Sequence, residues 1–255
     1  MSTRFFTNRH DNTLLAKFAG VFANNPDIQF FDALVGYFRT SGYFALRPHL
    51  EKLAKIRILV GIDVDERAQF CQSQGLLFNP DATSTVELFM DGVKADIKQS
   101  SYDADVESGI LQFIQDVASK KVEVKAHPSR QLHAKIYIFR PEDYNEHKHG
   151  NVITGSSNLT DAGLGTGNGP TNYEFNVLLA DYDDVKFASE EFEALWQEGV
   201  NILPAKLESI KKDTYLNDEI TPYELYIKFL IEYFGRGVEF DPSAPDDLPE
   251  GFMRL

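Results

Sequence analysis

The chain of 255 residues carries 25 Lys and Arg against 39 Asp and Glu, which gives a net charge of −14, and 43% of its residues are hydrophobic. This hydrophobic content excludes general disorder, and the length predicts one or two domains with a real core. The single cysteine, Cys71, excludes an intramolecular disulfide and a cysteine-based metal cluster, and a reducing, cytoplasmic setting is expected. No apolar run approaches the roughly 20 residues that cross a bilayer, so no membrane partner is expected.

The first half of the chain is predicted to alternate helices and strands. The run Asp11-Asn12-Thr13 offers N-caps for a helix that ends near Asn24, and residues 30–37 are predicted as a strand. A short helix over 44–54, with Pro48 near its start, leads to a buried strand over 56–62. This β-α-β order predicts a parallel pair of strands with a right-handed crossover. Residues 63–82 are ambiguous, and two helices are predicted over 85–98 and 105–119.

The second half is predicted to add four strands and three helices. The strands are expected at 122–126, 132–139, 151–154 and 172–179, and the helices at 184–198, 204–212 and 222–234. After Gly235 the composition becomes rich in Pro and Asp, as in a linker. We therefore expect one domain over residues 1–215 and a C-terminal helix and linker over residues 216–255.

The most informative pattern lies on the strand predicted over residues 132–139. Apolar Leu132, Ala134 and Ile136 alternate with His133 and Lys135, so the two polar side chains are expected on one strand face and the apolar ones in a core. An imidazole beside an ammonium suits a phosphate, because the ammonium neutralises the anion and the imidazole can attack phosphorus or move a proton. A His-x-Lys pair alone is more often a solvated face of a sheet.

Two later segments place this pair in a longer pattern. Gly155-Ser156-Ser157-Asn158 follows at a strand end, and Glu174 lies on the strand after it. His-x-Lys, then Gly-Ser-x-Asn, then Glu resembles the phospholipase D superfamily, the HKD enzymes, over about residues 130–180. The resemblance implies an α/β fold with a phospholipase D-like mixed sheet flanked by helices. It also implies phosphodiesterase chemistry.

The resemblance further implies a role for each matching residue. His133 would be the nucleophile or the general acid, and Lys135 would bind the phosphate and stabilise the charged transition state. Asn158 would donate its amide to the same oxygens, and Ser156 could add a hydroxyl. Glu174 would accept a hydrogen bond from the second imidazole nitrogen and so orient the ring. Ser156 also suits a turn, and Asn158 also suits an ordinary helix cap.

One position departs from the family pattern, and no metal is implied. The family places an Asp five residues after the Lys, whereas this chain has Arg140 there, and Asp143 three residues later could substitute for it. No cofactor is expected, because His and Lys supply the positive charge that a metal would bring. His147 and His149 lie in a predicted loop, where His-x-His is seldom a structured metal site.

The chain contains a single His-x-Lys, and the family chemistry uses two imidazoles. The resemblance therefore implies a two-fold homodimer with two copies of His133 facing each other across the phosphate. Residues 37–42 and 248–252 also resemble segments of the module that precedes the motor of bacterial Swi/Snf-type helicases. That resemblance implies a nucleic-acid partner, DNA in particular, and a helicase motor in the same full-length chain.

Two classes of function stay open at this point. The first is a metal-independent nuclease attached to a DNA helicase. The second is a catalytically weak or inactive module that binds nucleic acid or protein, which Arg140 and the acidic composition favour. Residues 120–149 carry seven Lys and Arg against four Asp and Glu, so the one basic-leaning stretch contains His133. A lipid phosphodiesterase has less support, since no amphipathic membrane segment is found.

Overall fold

The computed structural model describes residues 3–9, 12–61, 82–99, 104–128, 132–166 and 172–202, together with Tyr226 and Leu230. The strands of this part are β1 (Phe5–Thr7), β2 (Ile28–Val35), β3 (Lys55–Val60), β4 (Val122–Ala126), β5 (Ile136–Pro141), β6 (Asn151–Gly155), β7 (Phe175–Leu179) and β8 (Val200–Asn201). The helices are α1 (Leu14–Asn24), α2 (Thr40–Leu50), α3 (Ala82–Gln99), α4 (Ala104–Ala118), α5 (Asp161–Leu164) and α6 (Tyr182–Glu198).

The strands form one mixed sheet in the order β1-β7-β6-β5-β2-β3-β4-β8. Strands β2, β3 and β4 are parallel to one another, and every other pairing is antiparallel. The predicted parallel pair is therefore confirmed as β2 and β3, with Phe31 opposite Ile56. The α/β fold with a mixed sheet flanked by helices is confirmed as well.

Both faces of the central strands are buried. On one face Phe31, Tyr137 and Phe139 pack against Phe18 of α1, in a core that also includes residues of α2, α3 and α4. On the other face β2, β3 and β5 contribute to a second apolar cluster with α6. Strands that are buried on both faces consist of nearly continuous runs of apolar residues, so apolar and polar residues do not alternate strictly along β5.

The boundaries of several elements differ from the predictions. Strand β5 begins at Ile136, four residues later than expected, and α2 begins at Thr40, four residues earlier. Pro48 lies near the end of α2 rather than near its start. The helix continues through it because Tyr43, Leu46 and Leu50 are fully buried, and this packing outweighs local propensity.

Two short strands were not predicted, and some predicted elements fall outside the described residues. Strands β1 and β8 were not predicted, because two or three residues carry no recognisable period. The helix predicted over 204–212, most of that over 222–234 and the linker predicted after Gly235 lie outside the described part, as does the segment 63–81. No described helix is both long enough and apolar enough to cross a bilayer.

Candidate active site

The topology brings the predicted site segments to one edge of the sheet. Strands β2, β3 and β4 end at this edge, and β5, which is antiparallel to β2, begins there. By the same alternation β6 ends there, β7 begins there and β1 ends there. His133 and Lys135 precede β5, Ser156 and Asn158 follow β6, and Glu174 precedes β7. These five residues therefore lie on neighbouring strand ends.

Two glycines make room for the segment that holds His133. Gly36 directly follows β2 and Gly61 directly follows β3. A Cβ atom on Gly36 would lie 2.6 Å from the carbonyl oxygen of Leu132, and one on Gly61 would lie 2.8 Å from the same oxygen. Any side chain at either position would displace the segment. Neither glycine was predicted as a site residue, although a glycine directly after a buried apolar strand is a signal of close backbone approach.

His133 and Lys135 precede β5 rather than lie within it. His133 is exposed, and its imidazole ring makes no hydrogen bond to any described residue. The Lys135 ammonium donates to the His133 carbonyl oxygen at 2.6 Å, which leaves two of its three N–H donors for an anion. Thr154 of β6 donates to the Lys135 carbonyl at 2.9 Å and fixes the backbone. The expectation that Ala134 enters a core is wrong, because β5 begins only at Ile136 and Ala134 is exposed.

Asn158 is oriented by the backbone that follows β2. Its Oδ1 atom accepts a hydrogen bond from the Tyr37 backbone N–H at 3.1 Å. A backbone N–H can only donate, so the contacting atom must be the carbonyl oxygen, and the amide NH2 remains available to a phosphate. Asn158 is not the helix cap that its position allowed, because Thr160 is the N-cap of α5 and accepts from the Gly163 N–H at 3.1 Å.

Ser156 connects β6 to the carboxylate of Glu174. Its hydroxyl donates to Glu174 Oε2 and accepts from the Phe175 backbone N–H at 3.0 Å. Because a hydroxyl has one proton, Ser156 cannot also donate to a phosphate in this arrangement. Glu174 makes no hydrogen bond to His133 within the chain; its backbone N–H donates to Asn8 Oδ1 at 3.1 Å.

A buried polar layer lies beneath these side chains. The Tyr137 hydroxyl donates to the Ser157 carbonyl at 2.8 Å, and Asn176 donates from Nδ2 to Ser157 Oγ at 2.9 Å. Burial, with a smaller contribution from the charge of Glu174, raises the pKa of Tyr137 well above its ordinary value. Tyr137 therefore stays neutral and donates. Neither Tyr137 nor Asn176 was predicted as a supporting residue, since only the pairing of β5, β6 and β7 brings them together.

Arg140, which stands where the family has Asp, belongs to an ion network on the α6 face of the sheet. Its Nη2 donates to Asp32 Oδ2 at 2.6 Å, and Arg57 donates to both oxygens of Asp32, at 2.6 and 2.9 Å. Arg57 also donates to Glu193 of α6 at 2.7 Å. Arg140 lies five residues beyond Lys135, about 16 Å along the strand. Asp143 does not replace the family Asp, because it pairs with Lys148 in the following loop.

The three histidines nearest to His133 in the sequence occupy other positions in the fold. His147 and His149 are exposed in the loop after β5. His127 is buried at the end of β4, and its Nε2 atom lies 3.3 Å from Glu198 Oε2. Within the described ranges, no group of three or more His, Cys, Asp or Glu side chains is arranged to hold a metal ion.

Comparisons with known proteins place the chain in a family. The family model described as "Cardiolipin synthase, PLD-like domain" matches residues 51–196, which is more than half of the chain and contains all five predicted site residues. The comparison with curated proteins finds no match.

The solved structures that match this chain are distant from it in sequence. The phospholipase D family member Nuc from Salmonella typhimurium is 11% identical over 79% of this chain and 98% of its own, with a TM-score of 0.44. NucT from Helicobacter pylori is 9% identical over 77% of this chain and 96% of its own, with a TM-score of 0.42. The phosphatidylserine synthase of Haemophilus influenzae Rd KW20 is 13% identical over 90% of this chain and 44% of its own, with a TM-score of 0.44. The extent of the family match shows that the chain belongs to the PLD-like domain family.

Proposed function

We propose that the protein is a metal-independent phosphodiesterase that cleaves nucleic acid, with DNA as its substrate. One observation carries the proposal: an imidazole with no bond to a described residue, an ammonium with two N–H donors to spare and a fixed amide NH2 lie on adjacent strand ends. These are the groups that a phosphodiester needs, because one attacks phosphorus and the others bind the negative oxygens. Membership of the PLD-like domain family supports the same chemistry.

The proposed reaction has two steps. His133 attacks phosphorus and forms a P–N bond, while the P–O bond to the leaving group breaks and the leaving oxygen takes a proton from a second imidazole. Lys135 and Asn158 donate to the non-bridging oxygens as their charge increases. Water then attacks the phosphohistidine and loses its proton to the second imidazole, which releases the product and restores His133.

Glu174 is proposed to orient the attacking imidazole. A carboxylate has two oxygens, and Ser156 occupies Oε2, whereas Oε1 bonds no described residue. Oε1 can therefore accept from an imidazole N–H and favour the charged ring. Ser156 then acts as a positioning residue that holds this carboxylate, in place of the phosphate-binding role that was expected of it.

We also propose a two-fold homodimer and attachment to a helicase motor. The proposed reaction uses two imidazoles while each chain offers one His133, so the second would be His133 of the partner subunit. Light scattering at micromolar concentration should give the mass of a dimer. The helicase proposal rests on the resemblance of residues 37–42 and 248–252, and it predicts stronger DNA binding by the product of the intact reading frame than by these 255 residues at one salt concentration.

A non-catalytic nucleic-acid-binding module is the second candidate. The bond from Ser156 to Glu174 favours it, because within one chain the carboxylate does not contact His133. Arg140 no longer favours it, since the ion network accounts for that side chain without reference to the site. A module of this kind would bind DNA and release no product.

The test is hydrolysis of bis(4-nitrophenyl) phosphate and of DNA in the presence of EDTA. The wild-type protein should cleave both, and His133→Ala should abolish cleavage. His147→Ala is the matched control, because His147 is an exposed histidine of the loop after β5 and should leave the rate unchanged. Cleavage that requires added magnesium, or that survives His133→Ala, would refute the mechanism. Binding of DNA without any cleavage would favour the second candidate.

A further inference from the structure

Exposed aromatic side chains flank the candidate site on both sides. Tyr37, which follows β2, is 39% exposed, and Tyr173, which precedes β7, is 57% exposed. Both positions lie at the sheet edge that holds His133, one on each side of β5 and β6.

Each of the two tyrosine rings is paired with an arginine. The guanidinium carbon of Arg39 lies 5.6 Å from the centre of the Tyr37 ring, and that of Arg9 lies 4.8 Å from the centre of the Tyr173 ring. A cation against an aromatic face presents a flat π surface and a positive charge together. A nucleobase stacks on the π surface, and the phosphate of the same nucleotide is attracted by the positive charge.

Both aromatic pairs are attached to the site by hydrogen bonds. The backbone N–H of Tyr37 donates to Asn158 Oδ1 at 3.1 Å. On the other side, Asn8 donates to the Asn172 carbonyl at 2.6 Å and accepts from the Glu174 N–H at 3.1 Å, which joins the end of β1 to the segment that carries Tyr173. Three strand spacings, about 14 Å, separate β2 from β7, and β5 lies between them. A nucleic-acid strand that crosses this edge therefore passes one aromatic pair, then His133, then the other aromatic pair.

The charge around His133 suits a polyanion although the whole protein is acidic. Among the described residues within four positions of the ends of β1, β2, β5, β6 and β7 that face the site, the charged side chains are three cations and one carboxylate, namely Arg9, Arg39, Lys135 and Glu174. The carboxylate already accepts a hydrogen bond from Ser156. The local excess of positive charge therefore lies where a phosphodiester would be held.

We propose that the Tyr37–Arg39 and Tyr173–Arg9 pairs are two base-stacking platforms that hold a single-stranded nucleic acid across the site, one on each side of the cleaved phosphodiester. This inference rests on the proposed function, because His133 locates the phosphodiester between the platforms. The two platforms would select single strands over duplexes, since the bases of a duplex already stack on one another and offer no free face to a protein ring.

The test is the affinity for a short fluorescent single-stranded DNA, measured by anisotropy in the His133→Ala background so that no cleavage occurs. Tyr37→Ala and Tyr173→Ala should each raise the Kd by about 5- to 150-fold, the range for loss of one base–aromatic stack. Tyr37→Phe and Tyr173→Phe keep the ring and should keep the affinity. Phe187→Ala is the matched control, because Phe187 on α6 is 66% exposed and remote from this edge. The same sequence as a duplex should bind more weakly.

An unchanged Kd in both alanine variants would overturn the inference, and so would equal affinity for the duplex. Light scattering adds a further check. If the alanine variants turn a dimer into monomers, the two rings serve self-association, and the inference is overturned as well. Tyr173→Ala keeps the test informative if Tyr37→Ala fails to fold, since the Tyr173 side chain is largely exposed. Failure of the proposed function has a different signature, namely wild-type protein that does not hydrolyse bis(4-nitrophenyl) phosphate.

Discussion

Replacement of Asp32 by Asn should destabilise the fold without affecting the site. Asp32 is 2% exposed and accepts three hydrogen bonds from the guanidinium groups of Arg57 and Arg140. The amide would leave two cations facing each other with no anion between them. Of the two, Arg57 would retain Glu193 as a partner, and no other carboxylate among the described residues pairs with Arg140.

The magnitude follows from the burial of the three side chains. Removal of one partner from a buried ion pair costs about 3–5 kcal/mol. The side chains of Arg57 and Arg140 are 13% and 24% exposed, so water partly solvates them and the lower end of the range applies. For a chain of this size 1 kcal/mol corresponds to about 2–4 °C, which gives a decrease in Tm of about 6–12 °C.

Thermal unfolding followed by circular dichroism measures this decrease. Asp181→Asn is the matched control, because the Arg4–Asp181 pair is 60% and 62% exposed and should contribute less than about 1 kcal/mol. Arg140→Asp, which restores the family residue, should also destabilise the fold, because it sets a second carboxylate beside Asp32. Equal Tm values for Asp32→Asn and Asp181→Asn would refute the reasoning. Loss of phosphodiester hydrolysis in folded Asp32→Asn would show instead that the network belongs to the site.

Three further predictions concern the site and the core. Glu174→Gln should lower turnover by about 10²- to 10⁴-fold while Tm changes little, and unchanged turnover with a large fall in Tm would make Glu174 structural. Gly36→Ala should lower the hydrolysis rate, and it should lower the stability by about 1–3 kcal/mol, because the added Cβ atom would meet the Leu132 carbonyl oxygen. Gly20→Ala is the control that should show neither loss, because nothing lies within 4 Å of a Cβ atom at Gly20. Burial would raise the pKa of Asp116, but hydrogen bonds from three side chains outweigh it and hold the pKa below its ordinary value of 3.8. This stabilisation is present above that value and is lost as the pH falls through the folded-state pKa, so Asp116→Asn should lower Tm more at pH 7 than at pH 3, and an equal loss at both would contradict it.

The local signals in the sequence located most elements of the described part. The N-cap side chain of Thr13 accepts from the Ala16 N–H at 3.2 Å, and α1 ends at Asn24 as predicted. Caps, apolar period and strand propensity act over a few residues, so they can be read from the chain alone. The order of His-x-Lys, Gly-Ser-x-Asn and Glu likewise led to the PLD-like domain family, which the family match confirms.

The partners of individual side chains were decided by the tertiary structure. Arg140 suggested a defective site, yet the pairing of β2 with β5 brings Asp32, more than 100 positions away in the chain, within 2.6 Å of it. Ser156 suggested a phosphate ligand, yet the pairing of β6 with β7 gives its only proton to Glu174. Strand order in a sheet depends on contacts between distant segments, and no local pattern encodes it. The sequence by itself therefore determined the elements and the family, and the sheet order decided which side chains meet at the edge, because that order alone brings the ends of β2, β5, β6 and β7 together.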